Sequence, residues 1–122
     1  MTQTLPKEER LSGKTAIATL MKKGHWGVSG CLRFCVLSPG GGEVNRVMVS
    51  VSKKNFKRAV RRNLLKRRMR ESYRTQKDLL EGAGPLDLLL VYNSKEILEY
   101  QTIRQDVGDI LRSLAAKSAE QR

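Results

Sequence analysis

The sequence predicts an α/β (α+β) two-layer sandwich: a small mixed sheet with helices packed on it, in the order α-β-β-α-β-α. Three observations carry this prediction. Stretches 13–23, 55–80 and 101–116 repeat apolar residues at helical spacing, whereas 31–37 and 46–52 alternate, and LDLLLVYN (86–93) is almost continuously apolar. At 122 residues the chain is read as a single domain over 1–122, with residues 1–10 and 117–122 loose.

The first helix opens after Ser12, places Ile17, Leu20 and Met21 on one face beside Ala16, and stops at Gly24. HWGVSG reads as a connecting loop. In CLRFCVL, Leu32, Phe34 and Val36 form one apolar face of a strand. SPGGGEVN is a flexible turn by composition. RVMVSVS then sets Val47, Val49 and Val51 against Met48, Ser50 and Ser52, so the two strands are predicted to pair as a hairpin with one face incompletely covered. The middle helix is predicted from an N-cap at Asn55 to about Leu80, ahead of Gly82, Gly84 and Pro85. LDLLLVYN reads as a central strand buried on both faces. Ile103, Val107, Ile110, Leu111 and Leu114 define the closing helix.

The middle helix carries an exceptional charge. Eleven of the 22 residues in 53–74 are Lys or Arg and only Glu71 opposes them, so this segment holds +10 of the chain's formal +12. At 100° per residue, Leu65, Met69, Ser72, Tyr73, Gln76 and Leu80 share one stripe, while Asn63, Arg67, Arg70 and Arg74 lie opposite, with Lys66 on the flank. Arg58 and Arg62 fall on the line of the apolar stripe, which requires the first turns to overhang the core. A solvated face normally mixes signs to limit repulsion. A folded, single-sign face rich in Arg instead suits phosphate, and the pI near 10.2 points to nucleic acid. No apolar run reaches the roughly 20 residues of a membrane span, and the N-terminus has no signal-like apolar region, so a cytoplasmic protein without a membrane partner is expected.

Other chemistries find little support. Gly13-Lys14-Thr15 lacks the upstream Gly and strand of a phosphate loop, since Glu8 occupies the required position. Gly40-Gly41-Gly42 precedes no helix. His25 is the single histidine, and Cys31 and Cys35, about 13 Å apart along a strand, can neither bridge each other nor assemble a zinc site with it. They are read as buried free thiols. No catalytic residues and no metal ligands are assigned, and no obligate protein partner is evident.

Lys53-Lys54 leaving a strand, followed on a helix by Arg58-Ala59-Val60-x-Arg62-Asn63-x-x-Lys66-Arg67-x-x-Arg70-Glu71, resembles the signature of the bacterial ribonuclease P protein subunit. Ser52 stands ahead of the two lysines, as in that family's Ser-Lys-Lys strand end, and the likeness extends over nearly the whole chain. The resemblance implies a left-handed β-α-β crossover through the basic helix, against the usual right-handed rule. It implies a catalytic RNA and precursor tRNA as partners, with Mg²⁺ bound mainly by the RNA and the chemistry of 5′ leader removal carried by the RNA. It also implies RNA contacts by Lys53, Lys54, Arg58, Arg62, Asn63, Lys66, Arg67 and Arg70. A leader cleft between the first helix and the sheet would draw on Ile17, Met21, Trp26 and Ser52.

Two departures stand out. Leu64 occupies the third place of the family's Arg-Asn-Arg triplet, with Arg61 or Arg68 as substitutes. Ile17 and Met21 stand where many members carry aromatic rings, which contribute roughly 1–3 kcal/mol per stacked base. Trp26 either lines the cleft or covers the helix end, whereas Phe34 and Tyr73 read as core. A ribosomal-type or general RNA-binding structural protein is the alternative, distinguished by the lack of a leader cleft. An independent metal-dependent nuclease is disfavoured by the scattered carboxylates.

Overall fold

A computed structural model describes residues 5–120. The helices are α1 (Lys14–Lys23), α2 (Ala59–Arg74) and α3 (Tyr100–Glu120), and the strands are β1 (His25–Ser29), β2 (Leu32–Leu37), β3 (Arg46–Ser50) and β4 (Asp87–Tyr92). Short 3-10 turns occupy Lys7–Glu9 and Lys77–Leu80. The strands form one mixed sheet in the order β1-β2-β4-β3, antiparallel except for the parallel pair β3 and β4.

Alternation along the strands divides the core between the two faces of the sheet. On one face Leu32, Val36, Val47, Leu88, Leu90 and Tyr92 meet α2 and α3 through Leu65, Met69, Tyr73, Ile103, Val107, Ile110 and Leu111. On the other, Cys35 and Leu89 pack against Leu20 of α1 and Leu11, with Ala16, Leu37, Met48 and Val91 half-buried around them. Here the Cys35 thiol donates to the Leu20 carbonyl at 3.3 Å. The first face is therefore a full helix layer, and the second is covered only where α1 crosses it.

Several expectations change. The predicted loop HWGVSG contains β1, which pairs with β2 from His25↔Val36 to Ser29↔Leu32. The reversal turns at Gly30 (φ 56), where a side chain would strike the Asp106 carboxylate. Gly27 is equally constrained, because a Cβ there would lie 2.5 Å from the Phe34 ring. The predicted hairpin of the second and third strands does not form, since β4 lies between them. A strand as apolar as β4 needs cover on both faces, which its central position under the helices of both layers supplies; five of its six residues are buried.

The β3–β4 register is fixed at one end by an ion pair. Arg46 Nε and Nη2 donate to the two Asp87 carboxylate oxygens, each at 2.8 Å. The Gly41 amide donates to the same carboxylate at 3.0 Å, and the Gly40 amide to the Pro85 carbonyl at 3.0 Å. The glycine run read as a flexible turn thus wraps this pair.

Residues 5–10, expected to be loose, are tied down. Leu5 is buried, the Leu11 amide donates to the Val47 carbonyl at 2.9 Å, and Glu9 pairs with Lys77 at 2.9 Å. This segment runs along the outer edge of β3. At the other end α3 continues to Glu120 instead of fraying after 116, and residues 1–4 and 121–122 lie outside the described residues.

Candidate nucleic-acid interface

The basic surface begins in the turn that leaves β3. Ser52 accepts twice, its Oγ from the Lys54 amide at 3.0 Å and its carbonyl from the Phe56 amide at 3.1 Å. Phe56 inserts its ring into the core, edge-on to Tyr92 with centroids 5.8 Å apart. A turn closed at one end and anchored at the other leaves Lys53, Lys54, Lys57 and Arg58 exposed.

The helix then starts at Ala59, four residues later than the predicted cap at Asn55, because Phe56 must reach the core before the chain can wind. Arg58 is the N-cap, with no side-chain capping bond and no acid in the first turn. Positive side chains there oppose the helix dipole. The Arg62 Nη1 donates to the carbonyls of Phe56 and Lys57, both at 2.8 Å, and so ties the preceding turn to the helix. This accounts for an arginine on the line of the apolar stripe.

Along α2 the predicted division by angle appears. Leu65, Met69 and Tyr73 are at most 1% exposed, and burial of such side chains stabilises by roughly 2 kcal/mol each. Arg61, Asn63, Arg67 and Arg70 are exposed, and Lys66 is half-buried. Arg68 turns inward to the Leu98 carbonyl, and Arg74 pairs with Glu71 at 2.8 Å, which holds the Glu71 carboxyl below its ordinary range. With Arg62, three of the eleven bases of 53–74 thus serve the protein itself. The other eight show no hydrogen bond or ion pair from their side chains among the described residues.

Leu64 is half-buried beside Leu65, on the flank of the core stripe. Of its two proposed substitutes, Arg61 is exposed while Arg68 is committed to Leu98. Lys57 and Arg61 join the exposed set although the motif does not single them out; their signal was only the charge run.

The second candidate surface is the uncovered part of the sheet. Val28, Arg33, Val91 and Ser50 stand in register across β1, β2, β4 and β3, forming one row. The adjacent row, Trp26, Cys35, Leu89 and Met48, contains the residues under α1. Trp26 is 43% exposed and lies beneath the Arg33 guanidinium, 5.0 Å from its ring centroid. Trp26 therefore belongs to the α1 face. On α1, Ile17 is half-buried and Met21 is 49% exposed, and Ser52 is half-buried in the turn beyond β3. Arg33 escaped the sequence reading because its role depends on the β1 pairing. Phe34, read as core, is half-buried against it, and Tyr73 is fully within it.

A partly open mixed sheet and a helix with one buried and one cationic face together define a basic α+β protein built to engage a polyanion. The ribonuclease P family model matches residues 5–115, and the chain belongs to that family. The ribonuclease P protein component of Picosynechococcus sp. is 31% identical over 107 residues, covering 88% of this chain and 90% of the relative. That of Petrotoga mobilis is 32% identical over 122 residues, covering 93% and 98%. The fold is similar to that of the Staphylococcus aureus RNase P protein, with a TM-score of 0.74 at 22% identity, covering 88% of this chain and 95% of that one. The Thermotoga maritima protein gives 0.70 at 24% identity, covering 86% and 96%.

Proposed function

We propose that this chain is the non-catalytic, RNA-binding subunit of a ribonuclease P, assisting removal of the 5′ leader from precursor tRNA. In this reading the outer face of α2 and the turn before it bind the catalytic RNA. The uncovered row of the sheet, beside the part of α1 that carries Ile17 and Met21, receives the single-stranded leader. The observation that carries the proposal is the division of α2, whose Leu65, Met69 and Tyr73 are fixed in the core while most of its cations project without intramolecular partners. With the four cations of the preceding turn, eight such groups lie within 53–74 and repel each other unless phosphates neutralise them, and release of counterions then drives binding.

Among the described residues no three of His, Cys, Asp and Glu gather. These residues do not offer Mg²⁺ the clustered oxygen ligands it takes, so the proposal assigns the ion to the RNA and no chemical step to this chain. No described helix is long and apolar enough to cross a membrane.

The test is a salt titration of binding to the catalytic subunit RNA. Wild-type affinity should fall steeply with salt. Arg67→Ala and Arg70→Ala should each reduce the slope of log affinity against log salt by about 1. A flat salt dependence, or slopes unchanged in both variants, contradicts the proposed interface.

A further inference from the structure

We infer that Arg62 is a positioning residue: its guanidinium shapes the 52–58 turn so that Lys53, Lys54, Lys57 and Arg58 face the RNA. This inference rests on the RNA-binding reading above and assigns one of the basic residues a different role within it.

Arg62 is half-buried, whereas its neighbours Arg61 and Asn63 are exposed. Its Nη1 already donates to two consecutive backbone carbonyls, those of Phe56 and Lys57, at 2.8 Å each. Both lie just before the N-cap, upstream of the Arg58 carbonyl at which the helix's own N–H bonds begin. The Arg61 and Arg62 amides, at 3.2 and 3.3 Å, both go to the Arg58 carbonyl, so the opening turn leaves those two upstream acceptors to a side chain. Unpaired carbonyls at the edge of a core would favour other conformations of the turn. Ser52 closes the first half of the segment on the Lys54 and Phe56 amides, and the buried Phe56 ring with the two Arg62 bonds holds its second half to the first turn of α2. Between these anchors the chain has little freedom, and four cations are displayed together. A fixed cation array binds phosphate with less loss of entropy than four independently moving side chains on a loose loop.

The role predicts an effect in the protein without RNA. The Phe56 amide, bonded to the Ser52 carbonyl at 3.1 Å, reports closure of the turn. Arg62→Ala should raise its hydrogen-exchange rate roughly tenfold, the scale of losing charge-assisted hydrogen bonds, while exchange at Leu90, central in β4, stays unchanged. Arg62→Lys keeps the charge but ends one bond short of the Nη1 position and should also speed exchange at Phe56. Unchanged Phe56 exchange in a variant whose Leu90 amide remains protected overturns the inference.

A second arm uses binding to the catalytic subunit RNA. Replacing Lys53, Lys54, Lys57 and Arg58 together by Ala should shrink the effect of Arg62→Ala on affinity to within about twofold, because groups acting as a unit are not additive. A full, undiminished effect in that background means that Arg62 contacts the RNA directly, and overturns the inference. If wild-type protein does not bind this RNA, the functional reading fails, while the exchange arm still decides whether Arg62 holds the turn.

Discussion

Asp87 opens β4 in a nearly dry site, with its side chain 3% exposed and bonded by Arg46 and the Gly41 amide. Burial pushes its carboxyl upward, but the Arg46 guanidinium and the Gly41 amide outweigh this and leave it below the ordinary range. A carboxylate depressed by folding stabilises the fold above its unfolded pKa and loses that contribution as pH falls through the lower, folded value. The pair should therefore weaken only below about pH 4. Arg46→Ala leaves a buried charge uncompensated and should cost about 3 kcal/mol at pH 7 in urea unfolding. The gap between variant and wild type should narrow towards pH 2. The thiols give a second test. Cys31 is pushed up to about 12 by burial and by Asp106, and burial also raises Cys35. Since thiolate is the nucleophile, iodoacetamide at pH 7.5 should label both only after unfolding, as read by mass spectrometry. The predicted free thiols are present as such. The inward turn of Arg62 was not legible, because a sequence shows an arginine's charge but not which backbone carbonyls lie within its reach.

At the scale of elements, α2 was the most readable part of the chain. Its stripe of Leu65, Met69 and Tyr73 follows from helical periodicity alone, and the exposed Arg67 and Arg70 from the same angle. Its start was misplaced, since Phe56 is claimed by the core and by Tyr92, a contact 36 residues away in sequence. The two faces of α2 predict opposite phenotypes. Met69→Ala should lower unfolding stability by about 2–5 kcal/mol through lost burial and a cavity. Arg70→Ala should leave stability within about 0.5 kcal/mol of wild type while weakening RNA binding. Urea midpoints and RNA affinities measured on both variants check this, and a destabilised Arg70→Ala would contradict the outward assignment. β1 was missed for a different reason. Trp26 and Val28 alternate as a strand requires, but Gly27 and the flanking Gly24 and Gly30 read as loop signals. What makes the segment a strand is pairing with β2, together with the Phe34 ring filling the space above Gly27.

For the whole molecule, the apolar character of LDLLLVYN indicated a central strand but not its neighbours. Local period reports which face is buried, whereas strand order depends on which edges remain to be paired; here β4 took both inner edges and displaced the expected hairpin. The consequence for function is a sheet with one face closed by α2 and α3 and the other covered only in part by α1. In the proposed reading, the open row of Val28, Arg33, Val91 and Ser50, with Trp26 under Arg33, is the floor on which single-stranded nucleotides lie. The α2 layer and the open row belong to opposite sides of the sheet, so the proposed RNA and leader surfaces do not overlap. The most direct measurement compares precursor tRNA carrying a leader of about eight nucleotides with the same tRNA carrying a single-nucleotide leader. Each is cleaved by the catalytic RNA at physiological salt and low Mg²⁺, with and without this protein. The account predicts that the protein strengthens binding and cleavage of the long-leader substrate by more than about tenfold, and that much of this gain disappears with the short leader. Equal gains for both substrates would contradict the leader surface, and no gain for either would contradict the proposed function.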